Sequence, residues 1–258
     1  MSSMRQIDLN CDMGESFGRY KLGLDEEIIK YISSANIGCG FHAGDPLVMR
    51  KTVKMAKEGG VGIGVHPGFP DLVGFGRRLM DVSPSEVRND VLYQIGSLYA
   101  FARAEGIQLQ HVKPHGALYN IAAQNEELGR AVAEAVREFD RDLILVGLAG
   151  SQLLKVARKM GLKVASEAFA DRAYNSDGSL VSRRLPHALI TDQKAVISRA
   201  IQMVMDGRII SVDGEPIEVK VDTICLHGDN PEALQLARTL RERMEEAGIS
   251  VVPMGKFL

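Results

Sequence analysis

Ionisable residues recur at one kind of place in this sequence, where a short apolar run gives way to a glycine- or proline-rich turn. Asp12 and Glu15, His42 and Asp45, His66, Lys113 and His115, Glu167 and Asp171, and His227 with Asp229 all fall there. One histidine so placed is ordinarily a helix cap or a satisfied core residue. Repetition over so many runs is different, because desolvating that many charges without a use is costly. Asp12, His42 and His66 supply one carboxylate and two imidazoles, a donor set for a divalent metal whose bound water would titrate near ~7 and act as nucleophile. Without a metal the same three suit acid–base and substrate-orienting work. Their separation is long-range and matches no short metal-binding pattern, so both readings stay open.

Lys113 and His115 stand two residues apart in QHVKPHGALYN and share a face if the strand continues past Pro114. A buried lysine beside histidines has its pKa pulled down, and it suits an oxyanion or an acidic substrate. The plain alternative is a lysine paired with an acid such as Asp8 or Glu167. HPGFPDLVGFGRR, residues 66–78, is a glycine-proline loop of the kind that forms lids, and its Arg77 or Arg78 suits a carboxylate or phosphate. Arg183-Arg184 in the 171–187 stretch reads the same way, and for both pairs a solvated surface is the competing reading. GCGFHAG formally matches a dinucleotide fingerprint. The next strand ends in His66-Pro67-Gly68 rather than an acid, and His42 stands where a pyrophosphate would approach, which argues against it. No GxxxxGK[ST] phosphate loop occurs in the chain.

These groups need strands to carry them. Residues 7–12 alternate strictly, Ile7, Leu9 and Cys11 against Asp8, Asn10 and Asp12, the pattern of a strand with two unlike faces. Further strands are expected at 33–39, 61–66, 109–113, 143–149, 163–169 and 222–227. Helices fall between them. Asp45-Pro46 is an N-cap with proline at N1, Ser83 and Glu86 have capping-box spacing, and Asn230-Pro231 opens a last helix. The stretch 208–221 reads as a hairpin turning at Asp213-Gly214. Strand–helix alternation predicts a parallel sheet, either closed or open. Parity decides between them. Asn36, Gly38 and Gly40, then Gly62, Gly64 and His66, then His111 and Lys113 each form a polar or glycine face opposite an apolar one. An open sheet covered on both sides would be apolar on both parities, and only 143–149 comes near that. The expectation is a barrel whose polar face lines a cavity.

The 258 residues suit one domain spanning 1–258. A net charge of -2 without a basic stripe argues against nucleic acid and anionic membrane as partners. MSSMRQ lacks the apolar segment of a signal peptide, and no apolar run is long enough to span a bilayer. The cysteines, Cys11, Cys39 and Cys225, are three in number and widely spaced, so free core thiols in a reducing cytoplasm are expected.

IDLNCDMGESFGRY, ANIGCGFHAGDP, GVHPGFPDLVGFGRR, VKPHGALYN, SEAFADRAYNSDGSLVSR and CLHGDNP, in this order, together resemble the LamB/YcsF family from about residue 6 to 254. The resemblance implies an α/β fold, a distorted (β/α)7-type TIM-like barrel of the glycoside hydrolase/deacetylase kind. It implies the role of the A subunit of the ATP-dependent 5-oxoprolinase, which opens 5-oxoproline to L-glutamate in a complex with B and C subunits. Glutamate keeps its amine tethered to its side-chain carboxyl, so reclosure has a high effective molarity. An activating step such as phosphorylation of the lactam oxygen therefore makes chemical sense, with ATP handled by or shared with the partners. Other barrels of that superfamily hold a divalent metal with an aspartate and two histidines, which carries over to Asp12, His42 and His66. In this reading Glu15, Lys113 and His115 are acid–base and oxyanion groups, and Asn10, Arg78 and His227 grip the substrate. The alternatives are a free-standing metal-dependent deacetylase or hydrolase, and a non-catalytic subunit that senses 5-oxoproline.

Overall fold

The structure, a computed structural model, describes residues 5–182, 185–226, 228 and 230–258. Its strands are β1 (Arg5–Met13), β2 (Ser34–Gly38), β3 (Gly62–His66), β4 (His111–Val112), β5 (Ile144–Leu148), β6 (Val164–Ala168), β7 (Arg208–Ile210), β8 (Pro216–Glu218), β9 (Thr223–Leu226) and β10 (Ile249–Val251). Among the described residues β1 to β6 and β9 pair in that order, all parallel, and β9 returns to pair with β1, so seven strands close a barrel. The hairpin β7–β8 is antiparallel and turns through Gly214 at φ +84°. β10 extends β1 beyond the barrel, with Arg5 opposite Ile249. At three residues it is too short to show alternation, and the sequence reading missed it.

The intervening helices are α1 (Asp25–Ile28), α2 (Pro46–Glu58), α3 (Pro84–Ala104), α4 (Gly116–Gln124), α5 (Glu126–Phe139), α6 (Gln152–Lys159), α7 (Gln193–Asp206) and α8 (Pro231–Glu246). Asp45 accepts from the Leu47 and Val48 N–H groups, Ser83 and Glu86 form a reciprocal capping box, and Asn230 accepts from Ala233. β4 is cut short by Pro114, which has no N–H. The chain nevertheless stays beside β3, because Lys113 N–H donates to the Val65 carbonyl and His115 N–H to that of Pro67.

The two parities of the strands have different fates. Ile7, Leu9, Cys11 and Met13 are fully buried in the apolar layer between barrel and helices. The opposite parity points inward, where the register sets Asp8 beside Thr223, Asn10 beside Ser34, and Gly64 beside His111. The lower interior is filled rather than hollow, a correction to the cavity expected there. Asp8 accepts hydrogen bonds from Ser33 (2.7 Å), Ser34 (2.5 Å) and Thr223 (2.5 Å). Asn36 donates to Asn10 Oδ1 at 2.7 Å, and the His111 Nε2–H donates to Asn36 Oδ1 at 2.7 Å. Gly62 and Gly64 leave room for neighbours: a Cβ on either would overlap the Gln110 or His111 side chain. Buried polar groups are tolerated when each finds a partner, and here they form a bonded floor under the upper layer. Ile144, Val146, Ala165 and Met254 make a small apolar cluster, which is why β5 is apolar on both parities.

Candidate active site

The site begins with a glycine contact. Gly14 (φ +66°) follows β1, and Gly44 (φ +82°) precedes α2. A Cβ on Gly44 would stand 2.7 Å from the Gly38 carbonyl oxygen and 3.0 Å from that of Gly14. Only glycine permits both the conformation and the approach. Asp25 accepts from Gly14 N–H (2.9 Å) and Asp45 from Gly18 N–H (2.8 Å), which ties the loop after β1 to α1 and α2. Glu15 is thereby carried to the histidines. Its Oε1 lies 3.0 Å from His42 Nε2, 3.5 Å from His115 Nδ1 and 3.9 Å from His66 Nε2.

Backbone carbonyls set two of the three rings. His66 Nδ1–H donates to the Lys113 carbonyl at 2.7 Å, and His115 Nε2–H donates to the Phe75 carbonyl at 2.8 Å. A carbonyl only accepts, so both tautomers follow. His66 Nε2 and His115 Nδ1 then face each other at 3.0 Å, with Asp12 Oδ2 3.2 Å from the former. His42 stacks on His115 with centroids 3.8 Å apart, and among the described residues its buried Nδ1 has no hydrogen-bond partner.

The loop expected as a lid is packed onto these rings as a wall. A Cβ on Gly76 would meet His42 Cβ at 2.7 Å and His115 Cδ2 at 3.0 Å, and Gly68 abuts His42 Nδ1. Phe75, at φ +54°, turns its carbonyl to His115 and its ring edge-on to His42 and His115. Sequence reasoning missed Phe75, because its contribution comes from a loop conformation that no local pattern encodes. The open side is at the carboxylates: the side chains of Asp12 and Glu15 are 29% and 16% exposed, against 4% or less for the three imidazoles.

Charge is distributed unevenly. Burial works against ionising both Asp12 and His66, yet each favours the charged form of its partner. The Asp12 carboxyl is held well below its ordinary range, by His66 and Lys113, and the His66 imidazolium is favoured. Burial pushes His42 well down, with His66 adding to it, and pushes His115 to about 3, with His42 and His66 adding, so both are neutral at pH 7. Glu15 is pushed up by burial and by Asp12.

Lys113 corrects one expectation. Its Nζ lies 2.8 Å from Glu167 Oε1, 3.1 Å from Asp12 Oδ1, 3.0 Å from Asn10 Oδ1 and 3.2 Å from Cys225 Sγ. Burial opposes its charge, but Asp12 and Glu167 outweigh burial and hold it well above the ordinary lysine value instead of pulling it down. Lys113 is thus a fixed cation under the imidazoles, paired with Glu167 and not with Asp8.

The metal-ligating candidates regroup. Glu15, His42, His66 and His115 offer ligand atoms that all lie within 4.8 Å of one another. Asp12 stands at their edge beside His66. Three imidazoles and a carboxylate suit a divalent transition metal. Carbonyls behind His66 and His115 are the outer contacts that orient ligating histidines. The donor set therefore fits such an ion. Asn10 is enclosed in the floor, where its amide bonds Glu167, Thr223, Asn36 and Lys113, so the structure does not present it to a substrate. Arg78 is bound to Asp71 within its own loop and is not among the gathered groups. His227, Asp229, Arg183 and Arg184 lie outside the described residues. Cys11, Cys39 and Cys225 are free and buried.

A closed parallel β/α barrel with carboxylates, imidazoles and an ammonium gathered at the carboxyl ends of its strands has its polar centre where barrel enzymes carry out catalysis. The chain belongs to the LamB/YcsF family, whose profile matches residues 7–258. It is 60% identical over 253 residues to the 5-oxoprolinase A subunit of Pyrococcus furiosus, covering 98% of this chain and 99% of that one. It is 56% identical over 254 residues to the 5-oxoprolinase A subunit of Clostridium beijerinckii, covering 98% and 100%. The crystal structure of a lactam utilization protein from Thermus thermophilus superposes with a TM-score of 0.92 at 50% identity, covering 96% of this chain and 99% of that one. Among the described residues no helix is long and apolar enough to cross a membrane.

Proposed function

We propose that this chain is the lactam-opening subunit of an ATP-dependent 5-oxoprolinase, which converts 5-oxoproline to L-glutamate with hydrolysis of ATP in a complex with B and C subunits. One observation carries the reading: a partly open pair of carboxylates, Asp12 and Glu15, set against three imidazoles, in a chain that matches relatives of that name over its whole length. Opening the ring adds water to the lactam carbonyl, breaks the C–N bond and puts a proton on the departing nitrogen. Glu15, beside three imidazoles and in reach of solvent, is placed to take a proton from the water and return it to the nitrogen. His66 and Lys113 hold Asp12 from below in its charged form, where it can orient the attacking water. A divalent cation bound by Glu15, His42, His66 and His115 would polarise that carbonyl or acidify the attacking water. ATP belongs to the assembled complex, where phosphorylation of the lactam oxygen would offset the tendency of glutamate to reclose.

The test is reconstitution with B and C subunits, 5-oxoproline and ATP, with ADP and glutamate measured together. Equal formation of both, dependent on every subunit, is the expected result. Glutamate released by this chain alone without ATP would replace the reading with a free-standing metal-dependent hydrolase, which the imidazole-rich donor set favours as the second candidate. Turnover unaffected by Asp12→Asn would make the chain a sensor only.

A further inference from the structure

Two adjacent arginines end the loop after β3, and their surroundings differ. Arg78 is consumed by the buried Asp71, its Nε 3.0 Å from both carboxylate oxygens. Arg77 is exposed, and among the described residues no carboxylate forms an ion pair with it. It is nonetheless held in place. Its guanidinium carbon stands 5.0 Å from the centroid of the Phe75 ring, a cation–π contact. That ring in turn meets His42 and His115 with centroids 5.6 and 5.1 Å away.

The backbone is anchored as well. Arg77 N–H donates to the Gly74 carbonyl at 3.0 Å, and the neighbouring Gly76 carbonyl accepts from Ala117 N–H at 2.9 Å. Gly116, at φ +54°, lies directly against the Gly76 carbonyl and the Arg77 side chain. Arg77 is close enough for its charge to act on Glu15 and His42.

Among the described residues the other charged groups at the open side are Asp12 and Glu15, both of which repel an anion. Lys113 is spent on Asp12 and Glu167, and Arg78 on Asp71. A substrate bearing its own carboxylate needs a counter-charge at this rim. We infer that Arg77 binds the carboxylate of the substrate and selects lactams that carry one over neutral lactams, an inference that rests on the lactam-opening reading of the site. A planar, delocalised guanidinium fixed on an aromatic face is suited to a carboxylate in two-point contact.

The experiment compares wild type, Arg77→Met and Arg77→Lys in the assembled complex. Methionine keeps the contact with Phe75 and loses the charge. KM for 5-oxoproline rises about 10- to 100-fold in Arg77→Met, the loss of a charge-assisted hydrogen bond, and Arg77→Lys recovers part of it. Inhibition by 2-pyrrolidinone, a lactam without the carboxylate, keeps the same constant in all three. An unchanged KM in Arg77→Met, in a preparation whose wild type turns over 5-oxoproline, overturns the role of Arg77 alone. An equal loss of 2-pyrrolidinone binding also overturns it, because the arginine would then be shaping the site and not reading the carboxylate. A wild-type complex that yields no glutamate overturns the lactam-opening reading, and this assignment with it.

Discussion

His66 Nε2 and His115 Nδ1 face each other at 3.0 Å, each ring held from behind by a backbone carbonyl. The carbonyls take the protons on the far nitrogens, so two lone pairs would meet if both rings were neutral. Something positive has to stand between them. A proton on His66 Nε2 serves, steadied by Asp12, and so does a metal ion.

Metal uptake separates these two. Stripped with chelator, dialysed and offered Co2+, the chain is expected to take up about one equivalent, read by elemental analysis and by visible absorption. His66→Ala and His115→Ala should each lose it, and substitution of Asp8, in the floor, should not. Saturation at 100 times the dissociation constant would raise stability by about 2.7 kcal/mol. No uptake at all would leave the proton as the occupant. In either case His42→Ala and His66→Ala should cut turnover of the assembled complex by at least about 100-fold.

Lys113→Met is expected to be severe. It leaves the fully buried Glu167 without its cation and removes the partner of Asp12 at the edge of the site, and breaking a buried pair on one side costs about 3–5 kcal/mol. A urea unfolding curve should show that drop in midpoint. A shift near zero would mean that water reaches Lys113 and screens it.

Gly44→Ala should disconnect the two loops that carry Glu15 and His42. Both the positive φ and the 2.7 Å approach to the Gly38 carbonyl oppose a methyl group. Gly60, at φ +65° with no atom within 4 Å of an added Cβ, is the control. Alanine there should cost about 1 kcal/mol from backbone conformation alone. Gly44→Ala should exceed it clearly and lower activity as well. Equal unfolding midpoints for the two variants would dismiss the contact.

Asp8 gives the floor a pH dependence. Burial raises its carboxyl from 3.8 to about 6, against the lowering effect of the Ser34, Thr223 and Ser33 hydroxyls. Between those values the folded state holds a proton that the unfolded state has released. Stability therefore falls as pH rises through that window, by on the order of 3 kcal/mol in total. Asp8→Asn should flatten the slope of unfolding free energy between about pH 4 and 6.5 in buffered urea titrations. Parallel slopes for variant and wild type would assign the dependence elsewhere.

Much of the scaffold was legible because its rules are local. A strand has a period of two, so Asp8, Asn10 and Asp12 had to share a face whatever lay opposite. Ser83 with Glu86, Asn230 with Pro231, and Asp213 with Gly214 mark helix starts and a turn through bonds only a few residues long. Even the closed barrel could be read from the polar parity of four successive strands.

The sequence by itself determined which side chains point inward and at which end of the barrel they gather. Only the tertiary structure decided what each meets there. The polar face of β3 proved to be space for Gln110 and His111 instead of a hollow. Lys113 was held above its usual pKa because Asp12 and Glu167 come from other strands. Arg77 and Arg78, adjacent in the chain, were parted by one loop turn, one left at the rim and the other bound to Asp71. Distances between loops depend on every contact that closes the barrel, and no pattern of neighbouring residues contains them.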